Sequence, residues 1–182
     1  MERFKMSNII RQLIKNKQDF WITSDTHFNH SKIIKYTNRP FKNVVEMNNR
    51  LIENWNSVVG KYDVILHLGD FGFGKQDQLQ PIIDQLNGYL ILLMGNHDKR
   101  NKAKFWIPLV DEVIRDAFQV ENILFSHWYD LECDPDIINI HGHLHGLYNP
   151  SIDKSNHIDL STECTNYTPI SFQKDLDIVR YI

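Results

Sequence analysis

Apolar residues recur along the chain in two rhythms. In NVVEMNNRLIENWNSVV, the residues Val44, Val45, Met47, Leu51, Ile52, Trp55 and Val58 or Val59 fall on one helical stripe. That spacing predicts an amphipathic helix whose stripe belongs to the core. Ile9, Ile10, Leu13 and Ile14 repeat the spacing near the start and predict a short helix. QDQLQPIIDQLNG predicts another, with Pro81 in its first turn and Gly88 as its terminator. The second rhythm is short and continuous. DFWITSD, DVILHLGD, YLILLMGNHD, NILFSH, DIINI and HIDLS read as buried strands. Strands alternating with helices predict an α/β domain with a parallel sheet over residues 19–182, preceded by an N-terminal extension over 1–18.

Polar residues gather where these strands end. Five apolar runs each deliver Asp, Asn or His just past their carboxyl ends, where loops of an α/β sheet converge on a ligand. Asp25, His27, Asp70, Asn96, His97, His127, His143 and His145 are therefore expected to be neighbours. His141, His143 and His145 alternate in NIHGHLHG and would share a face in an extended chain. Carboxylate, amide oxygen and imidazole without thiolate suit divalent Mn, Fe, Zn or Ni. A closed structural zinc site would commonly use cysteines, and Cys133 and Cys164 lie outside the motifs. The ligands are too many for one ion and suit two ions sharing a carboxylate.

Composition narrows the partners. The 182 residues suit one domain, and 42% hydrophobic with 24% charged residues fits a soluble globular protein. A formal charge of −3 offers no general attraction to a polyanion, so bulk nucleic-acid binding is not expected. Two cysteines without CxxC spacing point to a reducing cytoplasm. The chain has no apolar run of membrane-spanning length, and its basic start lacks the apolar core and cleavage site of a signal peptide.

The motifs DTH, GD, GNHD, an isolated SH and GHLH, in that order from Asp25 to His145, resemble the signature of the calcineurin-like metallophosphoesterase superfamily. RPF, NWN and NYTPIS resemble its small uncapped branch. The resemblance implies a sandwich of two mixed β-sheets flanked by helices, with the active site at the strands' C-terminal ends. It overrides the purely parallel reading. It also implies that Asp25, His27 and His145 hold one divalent ion, that Asn96, His127 and His143 hold a second, and that Asp70 bridges both. His97 would approach the substrate, with Asp98 orienting its ring. A hydroxide shared by the two ions would attack phosphorus in line, and His97 would protonate or stabilise the leaving oxygen.

Other residues carry less specific signals. His30 and Arg39 are candidate contacts to a substrate phosphate. Trp128 and Tyr129 could offer a stacking face to a nucleobase, whereas Phe71 and Phe73 are expected to pack under the loops. His67 reads as a core histidine, His141 as a support for the ligand pair, and His157 has no motif behind it. GD continues as FGFG, without the Asp-Arg-Gly extension of the superfamily's phosphoprotein phosphatases. The reading is therefore a phosphodiesterase acting on a small, nucleotide-type phosphodiester. A phosphomonoesterase, phosphoprotein phosphatases included, is the alternative. A nuclease and a non-catalytic metal-bearing scaffold stand behind both.

Overall fold

The computed structural model describes residues 8–147 and 156–176. The first elements are α1 (Asn8–Lys15), β1 (Trp21–Thr23), α2 (Ile33–Tyr36), α3 (Val44–Val58), β2 (Val64–His67), α4 (Gln76–Ile83) and β3 (Tyr89–Leu93). They are followed by α5 (Asn96–Arg100), α6 (Ala103–Trp106), β4 (Glu112–Ile114), β5 (Phe118–Val120) and β6 (Ile123–Phe125). The last are β7 (Ile138–His141), β8 (His157–Asp159) and β9 (Ile170–Ser171).

Among the described residues the strands form two sheets, one ordered β4-β3-β2-β1-β9 and the other β5-β6-β7-β8. The first is parallel except for β9, and the second is parallel except for the β5–β6 pair. Both sheets are therefore mixed, as the resemblance implied, and the purely parallel reading is corrected. An isolated bridge, Ser24 to Ser161, ties the end of β1 to the segment after β8 and joins the sheets beside the strand ends.

Side chains of the first sheet alternate between two cores, because successive Cβ atoms leave a strand on opposite faces. Ile22, Leu66, Leu68, Ile91, Leu93 and Ile114 face the second sheet and pack with Ile123, Phe125 and Ile140. α1 adds Ile10 and Ile14 to this layer. Ile65, Leu90, Leu92 and Met94 face the helices and meet Met47, Leu51 and Trp55 of α3, Leu79 of α4 and Trp106 of α6. α3 starts where Asn43 accepts a hydrogen bond from the Glu46 backbone N–H at 3.0 Å, satisfying one of the donors a helix start leaves open.

Three local expectations are corrected. Val45 leaves the core stripe and is exposed, because the buried face of α3 runs through Met47, Leu51 and Trp55. Pro81 sits inside α4 instead of in its first turn, and the helix stops at Ile83. Gly88 does not cap that helix. Its positive φ of 97° turns the chain into β3, where Tyr89 N–H donates to the Asp63 carbonyl. β4, β5 and β9 have no counterpart in the sequence pattern, since strands of two or three residues carry no periodicity.

Candidate metal centre

All the motif loops meet at one end of the sandwich, beyond the carboxyl ends of β1, β2, β3, β6 and β7. Two groups of side chains there could hold a metal ion. Asp25, His27 and His145 form one, and Asp70, His127 and His143 the other, with one ligand atom from each residue lying within 4.8 Å of the rest of its group.

Each carboxylate divides its oxygens between the protein and the centre. Asp25 Oδ2 accepts hydrogen bonds from Ser24 Oγ at 2.6 Å, from His143 N at 2.8 Å and from Ser161 Oγ at 3.4 Å. Asp25 Oδ1 accepts none, although it is buried, and lies 3.7 Å from His27 Nε2 and 3.6 Å from His145 Nε2. His27 Nε2 is likewise buried without a hydrogen-bond partner. A buried oxygen and a buried imidazole nitrogen facing one point without pairing are costly unless a cation sits between them. The oxygen and nitrogen donor set fits a divalent ion.

Asp70 links the groups. Its Oδ1 accepts from His97 N–H at 2.9 Å. Its Oδ2 lies 3.7 Å from His27 Nε2 on one side and 3.5 Å from His127 Nε2 on the other. Asn96 Oδ1 is 2.9 Å from that same His127 nitrogen, at the start of α5.

The imidazoles are oriented from behind, which fixes the nitrogen left for a metal. His127 Nδ1 lies 3.0 Å from the Leu68 carbonyl, which keeps Nε2 forward. His145 Nδ1 lies 2.9 Å from Glu163 Oε1, and Arg39 Nε donates to the same oxygen at 2.9 Å. His27 Nδ1 lies 3.3 Å from His30 Nδ1. Burial opposes ionisation of both aspartates, but the surrounding histidines outweigh it and hold both carboxyls below the ordinary range. Burial disfavours His127 protonation too, yet Asp70 and Asp25 lift its pKa to about 9 without a metal. The site thus attracts positive charge before any ion enters.

Backbone strain is concentrated in these loops. Asp25, His27, Asp70, His143 and His145 all have positive φ, between 51° and 72°. Non-glycine residues hold that conformation only where the surroundings over-determine it, and such positions cluster at functional sites. The strain also corrects the shared-face expectation for NIHGHLHG. The strand ends at His141, and the reversed φ values send His143 to the group of Asp70 and His145 to the group of Asp25. Gly142 lies so close to β1 that a Cβ there would collide with Ser24 Oγ and Asp25 Oδ2.

The remaining sequence candidates are placed as follows. His97 is on the rim, its Nε2 3.8 Å from Asp70 Oδ2 and its Nδ1 without a hydrogen-bond partner. Asp98 does not orient it, which corrects that expectation. Its carboxylate accepts from Asp70 N at 2.6 Å, Gly95 N at 2.9 Å and Phe71 N at 3.1 Å, clamping the GD loop to the GNHD loop. Burial and the charge on Asp70 push its pKa to about 7 against the pull of those N–H groups. Arg39 is also reassigned. Its side chain is buried, Nη1 donates to Thr26 O at 2.8 Å, Nη2 to Asp25 O at 2.7 Å and Nε to Glu163, so its guanidinium braces the first ligand loop instead of meeting a phosphate. His30 lies at the opening, stacked on Phe73 with centroids 4.0 Å apart. Phe71 is buried, but Phe73 also stands against His27 and His97 and so lines the site. Trp128 is 51% exposed, with its ring centroid 3.6 Å from that of His143, while Tyr129 turns toward His141.

His67 is a core histidine, with its pKa drawn down to about 3 by burial. His141 is buried, its Nδ1 2.8 Å from the Gly142 carbonyl, and belongs to neither ligand group. Cys133 and Cys164 are free thiols. Among the described residues no helix is long and apolar enough to cross a membrane. The sequence reading missed Glu163, Ser24 and Ser161. HIDLSTEC carries the same signal as the other strand ends, an apolar run followed by Ser161 and Glu163.

Comparison with known proteins agrees with this geometry. A family model described as calcineurin-like phosphoesterase matches residues 19–179. The uncharacterized protein MJ1445 of Methanocaldococcus jannaschii is 41% identical over 166 residues, spanning 83% of this chain and 85% of that one. The Gene 66 protein of Mycobacterium phage L5 is 36% identical over 81 residues, 43% of this chain and 39% of its own. The crystal structure of a protein of unknown function, AQ665 from Aquifex aeolicus, superposes with a TM-score of 0.70 at 28% identity, over 90% of this chain and 99% of that one.

Proposed function

The chain belongs to the calcineurin-like phosphoesterase family, and from that premise we propose that it is a dinuclear phosphodiesterase acting on a small, nucleotide-type phosphodiester. The observation that carries the reading is Asp70 Oδ2, which faces a histidine of each ligand group at 3.7 and 3.5 Å. Asp25, His27 and His145 would hold one ion, Asn96, His127 and His143 the second, and Asp70 both. The donor set suits Mn, Fe, Ni or Zn. Two divalent cations bound there supply Lewis acidity, lowering the pKa of water toward neutrality and taking up charge on the phosphoryl oxygens.

The protein's own groups perform the rest. Glu163 and Leu68 O keep the proton on the Nδ1 of His145 and His127, which leaves each Nε2 free as a ligand. A proton on His27 Nδ1 points at His30 Nδ1, so His30 accepts there and keeps its Nε2–H to donate to a substrate oxygen. His97, beside Asp70 at the rim, donates a hydrogen bond or a proton to the departing oxygen. Trp128, exposed and next to His143, supplies a flat apolar surface for a base or an aryl group. Free thiols suit a reducing compartment, and we place the protein in the cytoplasm on that ground.

The test is hydrolysis of bis(p-nitrophenyl) phosphate beside p-nitrophenyl phosphate, with chelator-stripped protein resupplied with Mn, Ni, Zn or Mg. Diester turnover that returns with Mn or Ni is expected. Monoester turnover that exceeds it would make the protein a phosphomonoesterase, and silence on both from folded, metal-loaded protein would overturn catalysis.

A further inference from the structure

One strand along from the metal centre, the surface opens into a cavity of about 550 Å³. It is lined by the buried Met94 and Ala103 and by the exposed side chains of Lys99, Lys102, Lys104 and Arg115, with Asp116 as the acidic member. Lys99 is engaged by Asp116 at 3.2 Å. No ion pair joins Lys102, Lys104 or Arg115 to another described residue. The chain as a whole carries −3, so this concentration of cations is local and opposed to the average.

The fold aligns this cavity with the centre. β3 and β4 are parallel, with Leu93 paired to Ile114. Continuing that register sets Arg115 beside Met94, about 4.8 Å away across the sheet and two residues before Asn96. α5 makes the second connection. Asn96 and Lys99 are three residues apart on one short helix, so they share a face. Lys102 holds φ 63° and ψ 157°, a conformation open to glycine and costly for any side chain. It does so in the turn between α5 and α6, where its side chain lines the cavity.

We infer that this cavity is a subsite for a second phosphate of the substrate, one residue along the substrate backbone from the phosphodiester held at the metal centre. The inference rests on the phosphodiesterase reading and extends it to substrates with more than one phosphate. Three uncommitted cations around a cavity match a phosphate, which presents several acceptor oxygens and more than one negative charge. The cavity volume suits a nucleotide-sized group.

The deciding comparison uses two chromogenic esters that differ by one phosphate: the p-nitrophenyl ester of thymidine 5′-phosphate, with and without a 3′-phosphate. The bisphosphate ester is expected to show a KM about tenfold lower, the value of roughly one charge-assisted contact. In a Lys102→Gln, Arg115→Gln double variant the ratio of the two KM values should fall to near one. Calorimetric binding of thymidine 3′,5′-bisphosphate against thymidine 5′-monophosphate, to the metal-loaded protein, separates the subsite from catalysis. Tenfold tighter binding of the bisphosphate with no ester turned over would sink the phosphodiesterase reading and keep the subsite. Equal affinities would overturn the subsite even if both esters are hydrolysed.

Discussion

Arg39 and Glu163 meet across 124 residues of chain, Nε to Oε1 at 2.9 Å, and the oxygen that receives the guanidinium also receives His145 Nδ1. The pair connects the loop after β1 with the loop after β8, because the other arms of Arg39 donate to the carbonyls of Asp25 and Thr26. One buried guanidinium therefore positions residues on two sides of the first ligand group. Glu163→Ala should remove the acceptor that orients His145 and weaken one of the two metal ions about ten- to a hundredfold, the usual effect of losing such support. Metal-competition titration reads this directly. Two ions bound with wild-type affinities would show that Glu163 supports nothing.

Asp70 predicts a different pattern. Because its Oδ2 faces both His27 and His127, Asp70→Ala should release both ions at a metal concentration where His145→Ala releases only one. Elemental analysis after gel filtration gives the two stoichiometries. If Asp70→Ala keeps one ion at full occupancy, the shared carboxylate is wrong and the two groups are separate sites.

These two predictions depend on residues of unequal legibility. Asp25, Asp70, Asn96 and the motif histidines could be read from the sequence because each ends an apolar run, and strand ends of an α/β sheet converge. Glu163 follows the same rule at the end of β8, but it lies beyond the last recognised motif. Arg39 and Asp98 were visible as residues and misread as chemistry, since nothing in a sequence says whether a guanidinium is buried against carbonyls or a carboxylate against backbone N–H groups. The short strands β4, β5 and β9 were invisible for another reason. Pairing holds them, and two or three residues of strand leave no pattern. Local strain was equally hidden, because φ is set by the loops' contacts and not by residue type.

Gly142 offers a test of how closely the loops are fitted. A Cβ at this position would overlap Ser24 Oγ and Asp25 Oδ2, both buried and hydrogen-bonded to each other. Ser24 Cβ, which moves only with the backbone, would also stand 2.7 Å away, so Gly142→Ala should cost about 1–3 kcal/mol through overpacking and move Asp25 away from His27. A lowered melting temperature together with a weakened metal site is expected. Unchanged melting and unchanged metal affinity would mean that the loop has room the structure does not show.

His67 makes stability depend on pH in a direction that can be worked out. The ring is fully buried, its Nε2 3.0 Å from Thr26 Oγ1 and its Nδ1 accepting from Gly69 N–H at 3.1 Å, and burial lowers its pKa from 6.5 to about 3. Between those values the unfolded chain binds a proton that the folded chain refuses, so stability falls as pH drops below about 6.5 and this residue adds no pH dependence above it. From pH 7.5 to 5.5 the loss is about 1.4 kcal/mol. Denaturant unfolding of chelator-treated wild type and of His67→Gln at the two pH values isolates this part, since the other histidines contribute equally to both proteins. Wild type should lose about that much more than the variant. Equal losses would show that His67 accepts a proton in the folded protein, at the expense of the hydrogen bond its Nδ1 accepts from Gly69 N–H.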